Sequence, residues 1–192
     1  KHLRRITRGA LRYGIIVGVF LWLGYEFQTT GLKLTTPSKS AFLTGVSVVL
    51  VPVFLALFWR RTVNRWPSLG VLAAFIGLYL LTVPANDAGR ANLESINRGD
   101  LLTLACAVAF AFHIILIGRA TRAHRFEQIA TLQSATCAVL MAITVPLAEQ
   151  PHITWNSTVV WAILVTGLLG TAAAFAIQAW AQQFTPPTHT AL

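Results

Sequence analysis

The amino-acid sequence predicts an all-α, polytopic membrane helix bundle with six spanning helices and the start of a seventh. Three observations carry that prediction. Of the 192 residues, 55% are AVILMFWYC, and the 13 glycines raise the share to about 62%, against roughly 45–50% in globular domains. Charged residues make up only 11%, where soluble domains run near 25%. Six apolar stretches each reach the length of about 20 residues that crosses roughly 30 Å of hydrocarbon, and the short segments between them hold nearly all the charge. The same numbers disfavour a disordered chain, a collagen-like repeat and a soluble enzyme. Cys106 and Cys137 lie in separate apolar runs, with neither a disulfide framework nor metal-ligand spacing.

The first predicted helix covers 11–32, and Glu26 is its one deeply placed charge. The second, 40–59, carries no charge. Pro52 within it lacks an N–H and is expected to kink it. The third, 67–84, follows Trp66-Pro67 and ends near Pro84. The fourth, 100–118, starts at Asp100, whose carboxylate suits an N-cap behind Gly99. The fifth, 127–147, stops near Pro146 and carries Gln128, Gln133, Ser134 and Thr136. The sixth, 158–180, is rich in Gly and Ala. None is shaped like a cleavable signal peptide. Trp59, Trp66, Trp155 and Trp161 stand near helix ends, where tryptophan anchors a span at the lipid interface. The opening at Lys1 and the close at Thr190-Ala191-Leu192, in a fresh helical turn, read as a piece of a longer polypeptide.

Alternation of the spans divides the loops between two sides. The first side holds eleven of the 15 basic residues: Lys1, Arg4, Arg5, Arg8, Arg12, Arg60, Arg61, Arg65, Arg119, Arg122 and Arg125. The opposite side holds Lys33, Lys39, Arg90 and Arg98, together with Asp87, Glu94, Asp100 and Glu149. An excess of Lys and Arg in short loops marks the cytoplasmic face. Residues 1–11 are therefore expected in the cytoplasm, with the first helix running outward across a bacterial inner membrane. The net charge of +9 reads as topology, and no nucleic-acid partner is expected.

A shift of 150 positions lays GYEFQTTGLKLTTPSKSAF (24–42) on AFAIQAWAQQFTPPTHTAL (174–192). The identities are Gln28/Gln178, Thr35/Thr185, Pro37/Pro187 and Ala41/Ala191. The shared grammar is a helix, a Thr-x-Pro break and a second helix. Five spans separate the two copies, an odd number, so the repeat is expected to be inverted in the membrane. Inverted repeats build many secondary transporters, with the substrate site between the halves near the midplane.

GLKLTTPSKSAFLTGVSVVLVPVF (31–54), the Arg60-Arg61 pair and PSLGVLAAFIGLYLLTVP (67–84) together resemble the EamA-type branch of the drug/metabolite transporter superfamily. Thr35, Pro37, Ala41, Pro52, Gly70 and Gly77 fill that family's small-residue, Pro-bearing and Gly-rich places, and Gly99-Asp100 matches the opening of its second repeat. The resemblance implies a ten-helix fold of two inverted five-helix repeats. Residues 11–84 would be the last three helices of the first repeat, and 85–98 the loop between repeats. Residues 99–192 would be the first three helices of the second repeat and the start of its fourth. The implied activity is transport of small metabolites such as amino acids, with export the favoured direction.

Glu26 is the leading candidate for substrate binding or coupling. A carboxylate deep in a span is costly and usually faces a cavity, where it can hold an ammonium group or carry a proton. The structural alternative is a carboxyl reaching the outer interface, or pairing with Lys33. Gln28 and Gln178 hold equivalent places in the repeat, the first on a helix face with Gly14, Gly18, Tyr25 and Gly31, the second on one with Gly167, Gly170, Thr171 and Ala174. Hydrogen bonding between helices explains them as well as substrate binding does. Glu26 lies about 200° around the helix from Gln28, so both enter one narrow pocket only if the helix bends or unwinds. His113 is a candidate proton relay or cavity liner, or a buried histidine with one structural hydrogen bond. Trp22, Tyr25, Thr44, Ser47 and Trp180 are further candidate liners.

The sequence has no Walker A loop, HExxH or GxSxG motif, so neither ATP-driven pumping nor the commoner hydrolytic chemistries are expected. No catalytic residue, metal or cofactor is assigned. The reading is a secondary transporter working by alternating access around a cavity lined by the first, second, fourth and sixth helices. Its expected partners are the lipid bilayer and a small-molecule substrate, with protons the candidate coupling ion and a homodimer the candidate assembly. Two other readings stand beside it: an intramembrane enzyme using Glu26 or His113, and a membrane scaffold that transports nothing.

Overall fold

The computed structural model describes residues 6–60, 69–73, 76, 97–148 and 154–191. Every regular element among them is helical. Helix α1 is Arg8–Leu32, α2 Pro37–Gly45 and α3 Ser47–Trp59; α4 is Arg98–Ala123 and α5 Phe126–Ala148. A long apolar stretch follows as α6 (Ser157–Leu164), a π-helical segment (Val165–Ala173) and α7 (Ala174–Ala181), and α8 is Pro187–Ala191. Among the described residues, five stretches are long and apolar enough to cross a membrane: Arg8–Leu32, Pro37–Trp59, Arg98–Ala123, Phe126–Leu147 and Ser157–Ala181. They correspond to five of the six predicted helices. The predicted 67–84 helix falls largely outside the described residues.

The second predicted span is two helices. The chain turns at Val46, whose N–H reaches Leu43 O at 3.2 Å, and α3 restarts from the Val46 carbonyl, which accepts from Val49 N and Leu50 N. Pro52 lies inside α3 and is buried, where it withholds the N–H that would have reached residue 48. The sixth span carries a different irregularity. Over Val165–Ala173 the backbone widens into a π-helix, and the Thr171 hydroxyl donates to Thr166 O at 3.0 Å. Gly167 and Gly170 lie within it, and a methyl group at either would meet nothing within 4 Å. Pro146 does not end α5, which continues to Ala148.

The chain divides into two compact units. The first comprises Lys1–Trp22 with Leu116–Thr185. Ala10 and Val17 of α1 there pack with Ile117 and Ala120 of α4, Ile129 of α5 and Ala179 of α7. Gly14 and Gly18 face α5: a Cβ at Gly14 would collide with Leu132, and one at Gly18 would lie 2.8 Å from the Gln133 carbonyl. Lipid tails are as apolar as leucine, so close backbone approach through small residues supplies much of the helix association in a bilayer.

The second unit comprises Leu23–Ile115 with Pro186–Leu192. Val51 of α3 packs with Ala111 and Ile115 of α4, and the Phe54 and Phe112 rings stack at 4.8 Å. Glycines again set the spacing. Gly24 lies against the Phe110 ring, and a Cβ at Gly31 would lie 2.7 Å from Thr103 Oγ1 and 2.9 Å from Gly99 O.

Candidate functional site

Among the described residues, a polar group lies in the second unit, where the end of α1 meets the starts of α2 and α4. Helix α1 stops at Leu32, and Leu34 N and Thr35 N both fold back onto Gly31 O. Thr36 then caps α2, accepting from Lys39 N at 3.3 Å, and Pro37 takes the first helical position, where an N–H is not needed. At the other helix start, Asn97 Oδ1 accepts from Asp100 N at 2.9 Å while Asp100 Oδ2 accepts from Asn97 N at 3.0 Å. This reciprocal box makes Asn97 the cap. The sequence expectation gave that part to Asp100, which instead stands three residues inside, at the position a capping box reserves for an acidic or amide side chain.

The two helix starts are then tied together. Thr35 Oγ1 donates to Asp100 Oδ1 at 2.6 Å, and Lys39 Nζ to Asp100 Oδ2 at 2.5 Å. The Asp100 side chain is 6% exposed and that of Lys39 30%. Asn97 Nδ2 donates to Leu34 O at 2.9 Å, and Thr103 Oγ1 to Gly99 O at 2.8 Å. A Cβ at Gly99 would stand 2.7 Å from Gly31 O, so hydrogen is the only side chain the gap admits without movement. The Thr35-x-Pro37 junction and the Gly99-Asp100 pair, 65 residues apart, thus form one structure.

Further along the same unit, Gln28 Nε2 donates to Thr44 Oγ1 at 3.4 Å, and that hydroxyl lies 4.0 Å from Cys106 Sγ. The Tyr25 ring meets Phe110 edge-on at 5.9 Å. Ser40 stands one turn before Thr44 on α2; it is 1% exposed, and its hydroxyl has no hydrogen-bond partner among the described residues. A buried unsatisfied hydroxyl costs free energy that a water or a ligand atom would recover.

The structure thus gathers Tyr25, Gln28 and Thr44 against α4. Glu26 is half-buried on α1, Ser47 is buried at the start of α3, and His113 is 2% exposed on α4, all within the second unit. The remaining candidates lie in the first unit. Trp22 donates from Nε1 to Thr144 Oγ1 at 3.3 Å. Gln178 is half-buried on α7, and Trp180 is exposed, its ring edge-on to Phe184 at 5.7 Å. Sequence reasoning missed Ser40 and the Thr35–Lys39–Asp100 group as interacting residues. The available signal was the Thr-x-Pro-x-Lys spacing after a span, set beside a Gly-Asp pair assigned to the same side. Among the described residues, no three His, Cys, Asp or Glu converge to hold a metal ion.

The second Thr-x-Pro junction repeats the backbone pattern of the first at the 150-residue offset. Leu34 N and Thr35 N bond to Gly31 O; Phe184 N and Thr185 N bond to Ala181 O. Ser40 N bonds to Thr36 O, and Thr190 N to Pro186 O.

Comparison with known proteins gives the following. The EamA-like transporter family matches residues 1–83 and 97–192. An uncharacterized transporter of Archaeoglobus fulgidus is 32% identical over 181 residues, which cover 93% of this chain and 55% of that protein. The uncharacterized transporter YyaM of Bacillus subtilis is 27% identical over 114 residues, covering 58% of this chain and 36% of its own length. The chain spans about half the length, or less, of these curated relatives. A solved crystal structure superposes with a TM-score of 0.75 at 21% identity, over 97% of this chain and 63% of that one, a likeness of fold.

Proposed function

This chain belongs to the EamA-like transporter family, and from that membership we propose that it is part of a secondary active transporter, an exporter of small amphipathic metabolites such as amino acids. Residues 11–84 and 99–192 are parts of two inverted repeats that rock about a midplane site, with protons or the substrate's own gradient as driving force. The N-terminal end is cytoplasmic. The observation that carries this reading is the polar strip of Gln28, Thr44 and Ser40 among apolar spanning segments, half-buried at Gln28 and Thr44 and buried at Ser40, whose hydroxyl is unpartnered among the described residues. Polar side chains at such positions can bond between helices or to a substrate, and the unpartnered Ser40 hydroxyl favours the second. Glu26 lies on the same helix as Gln28, half-buried, and supplies the one acidic group of that span.

Release from the lipid requires that the strip face one side of the membrane and then the other. The Lys39–Asp100 pair is suited to hold the α2 and α4 starts together in one of those states, because α2 is a nine-residue helix with a break at each end. The test is uptake of a labelled amino-acid mixture by vesicles containing the purified chain. Accumulation above empty vesicles, reduced in Glu26→Gln and Gln28→Leu, supports the proposal. Flux equal to that of empty vesicles counts against it.

A further inference from the structure

The Lys39–Asp100 pair stands at the end of the polar strip, and its charges limit what can separate it. The Asp100 side chain is 6% exposed and that of Lys39 30%. The Asp100 oxygens accept from Lys39 Nζ, from Thr35 Oγ1 at 2.6 Å and from Asn97 N at 3.0 Å. The hydrogen bonds described between the α2 start and the α4 start all involve side chains, those of Thr35, Lys39 and Asn97. Helix α2 is nine residues long with a break at each end, so it can part from α4 without losing a helical backbone bond. Ser40 follows Lys39 directly, and Thr44, which accepts from Gln28, stands one turn further along α2. Ser40 is 1% exposed, and its hydroxyl has no partner among the described residues.

Separating the pair leaves a nearly buried carboxylate without its counter-ion, which is strongly unfavourable unless another charge takes the vacated place. A neutral solute replaces neither partner. An anion satisfies Lys39 and strands Asp100. A cation satisfies Asp100 and leaves Lys39, which water reaches in part. A zwitterion replaces both. We propose that Lys39 and Asp100 exchange their mutual contact for the two charges of an amino acid, Lys39 taking the α-carboxylate and Asp100 the α-ammonium. The Ser40 hydroxyl, able to donate to one or accept from the other, is the neighbouring hydrogen-bond partner. Arg98 does not substitute for Lys39: it is exposed, and two positions before Asp100 it lies on another face of α4. The inference rests on the transport reading and deepens it, making the zwitterion the substrate class and the pair a binding element as well as a tie between helices.

The test titrates the purified full chain in detergent with two sets of compounds and reads affinity from ligand-dependent thermal unfolding. One set is leucine, isopentylamine, which lacks the carboxylate, and isocaproate, which lacks the amino group. The other is phenylalanine, phenethylamine and hydrocinnamate. The wild-type chain should bind the amino acid about tenfold or more tightly than the amine, and the acid most weakly. In Lys39→Met the amine should bind as well as the amino acid. In Asp100→Asn the acid should do so. A purely structural pair would instead weaken all three compounds alike in both variants. That result, or equal affinity of the wild-type chain for the three members of a set, overturns the inference. Vesicle uptake of the same compounds separates this from failure of the transport reading. Uptake that does not distinguish amine from amino acid overturns the exchange and leaves a transporter, whereas zwitterion-selective binding without uptake supports the site and removes the transport.

Discussion

Lys39 and Asp100, 61 positions apart in the chain, meet at 2.5 Å and join the start of α2 to the start of α4. Counting charges along the sequence assigns both to the same side of the membrane, and their contact satisfies that assignment. The carboxylate also accepts from Thr35 and from the Asn97 backbone, so both of its oxygens are engaged. Removing Lys39 leaves a nearly buried charge with fewer donors, whereas removing Asp100 frees a partly exposed ammonium that water can reach. The two substitutions should therefore differ.

Lys39→Met is expected to destabilise the protein by about 2 kcal/mol, between the small worth of exposed ion pairs and the 3–5 kcal/mol of breaking a buried one. Asp100→Asn should cost less: its amide oxygen can still accept from Lys39 and the Asn97 N–H, while its NH2 donates to the Thr35 hydroxyl, which can accept. A double-mutant cycle by thermal unfolding should return a coupling of about 1 kcal/mol or more. A coupling of zero would mean that the pair holds nothing together.

The capping box predicts that Asn97→Ala lowers stability by about 1 kcal/mol, while Asn97→Asp, which keeps the acceptor but gives up the Nδ2 bond to Leu34 O, should recover only part of that. Amide exchange at the first turn of α4 checks this locally. Faster exchange at Asp100, whose N–H loses the Asn97 Oδ1 acceptor, is the expected signature, with less change at Leu101, whose N–H bonds to the Asn97 backbone carbonyl.

Two glycine substitutions of the same chemistry should have opposite signs. Gly31→Ala places a methyl group against Thr103 Oγ1 at 2.7 Å and Gly99 O at 2.9 Å, and should cost about 1–3 kcal/mol through overpacking. Gly167→Ala meets nothing within 4 Å and should be neutral or stabilising by up to about 1 kcal/mol, because alanine favours helix over glycine. Thermal unfolding of both proteins in the same detergent decides it.

Ser40 separates a functional role from a structural one. Removing a hydroxyl that is buried without a partner should leave stability unchanged or raise it by up to about 1 kcal/mol. If that hydroxyl meets the transported molecule, Ser40→Ala should nonetheless slow vesicle uptake by roughly fivefold. Lower stability with unchanged uptake would assign Ser40 to packing.

The apolar runs made the five described spans legible from the sequence, because hydrocarbon thickness dictates their length whatever their neighbours are. Irregularities within spans were less legible. Pro52 drew attention to α3, but the helix divides at Val46, directly after Gly45, a glycine that weakens a helix without dictating a break. The π-helical segment around Gly167 and Gly170 was read only as a small-residue face, since glycine permits such a backbone without dictating it. In the candidate site, Gln28 and Thr44 were each visible as polar residues in apolar runs. Their pairing with each other was not, since it depends on how α1 and α2 fold about the Thr-x-Pro break. Asp100 was assigned a helix-start role in both readings; that it also binds Lys39 and Thr35 required the tertiary structure.

The proposal of inverted halves is tested most directly at the two Thr-x-Pro junctions. Thr36 and Pro186 are exposed, occupy equivalent places in the repeat, and can each be replaced by a single cysteine. Cys106 and Cys137 are buried, which keeps the background low. In sealed vesicles of known orientation, a membrane-impermeant thiol reagent is expected to label Thr36→Cys from one face and Pro186→Cys only from the other. Labelling of both from the same face would contradict the inverted repeat and the alternating-access mechanism proposed from it.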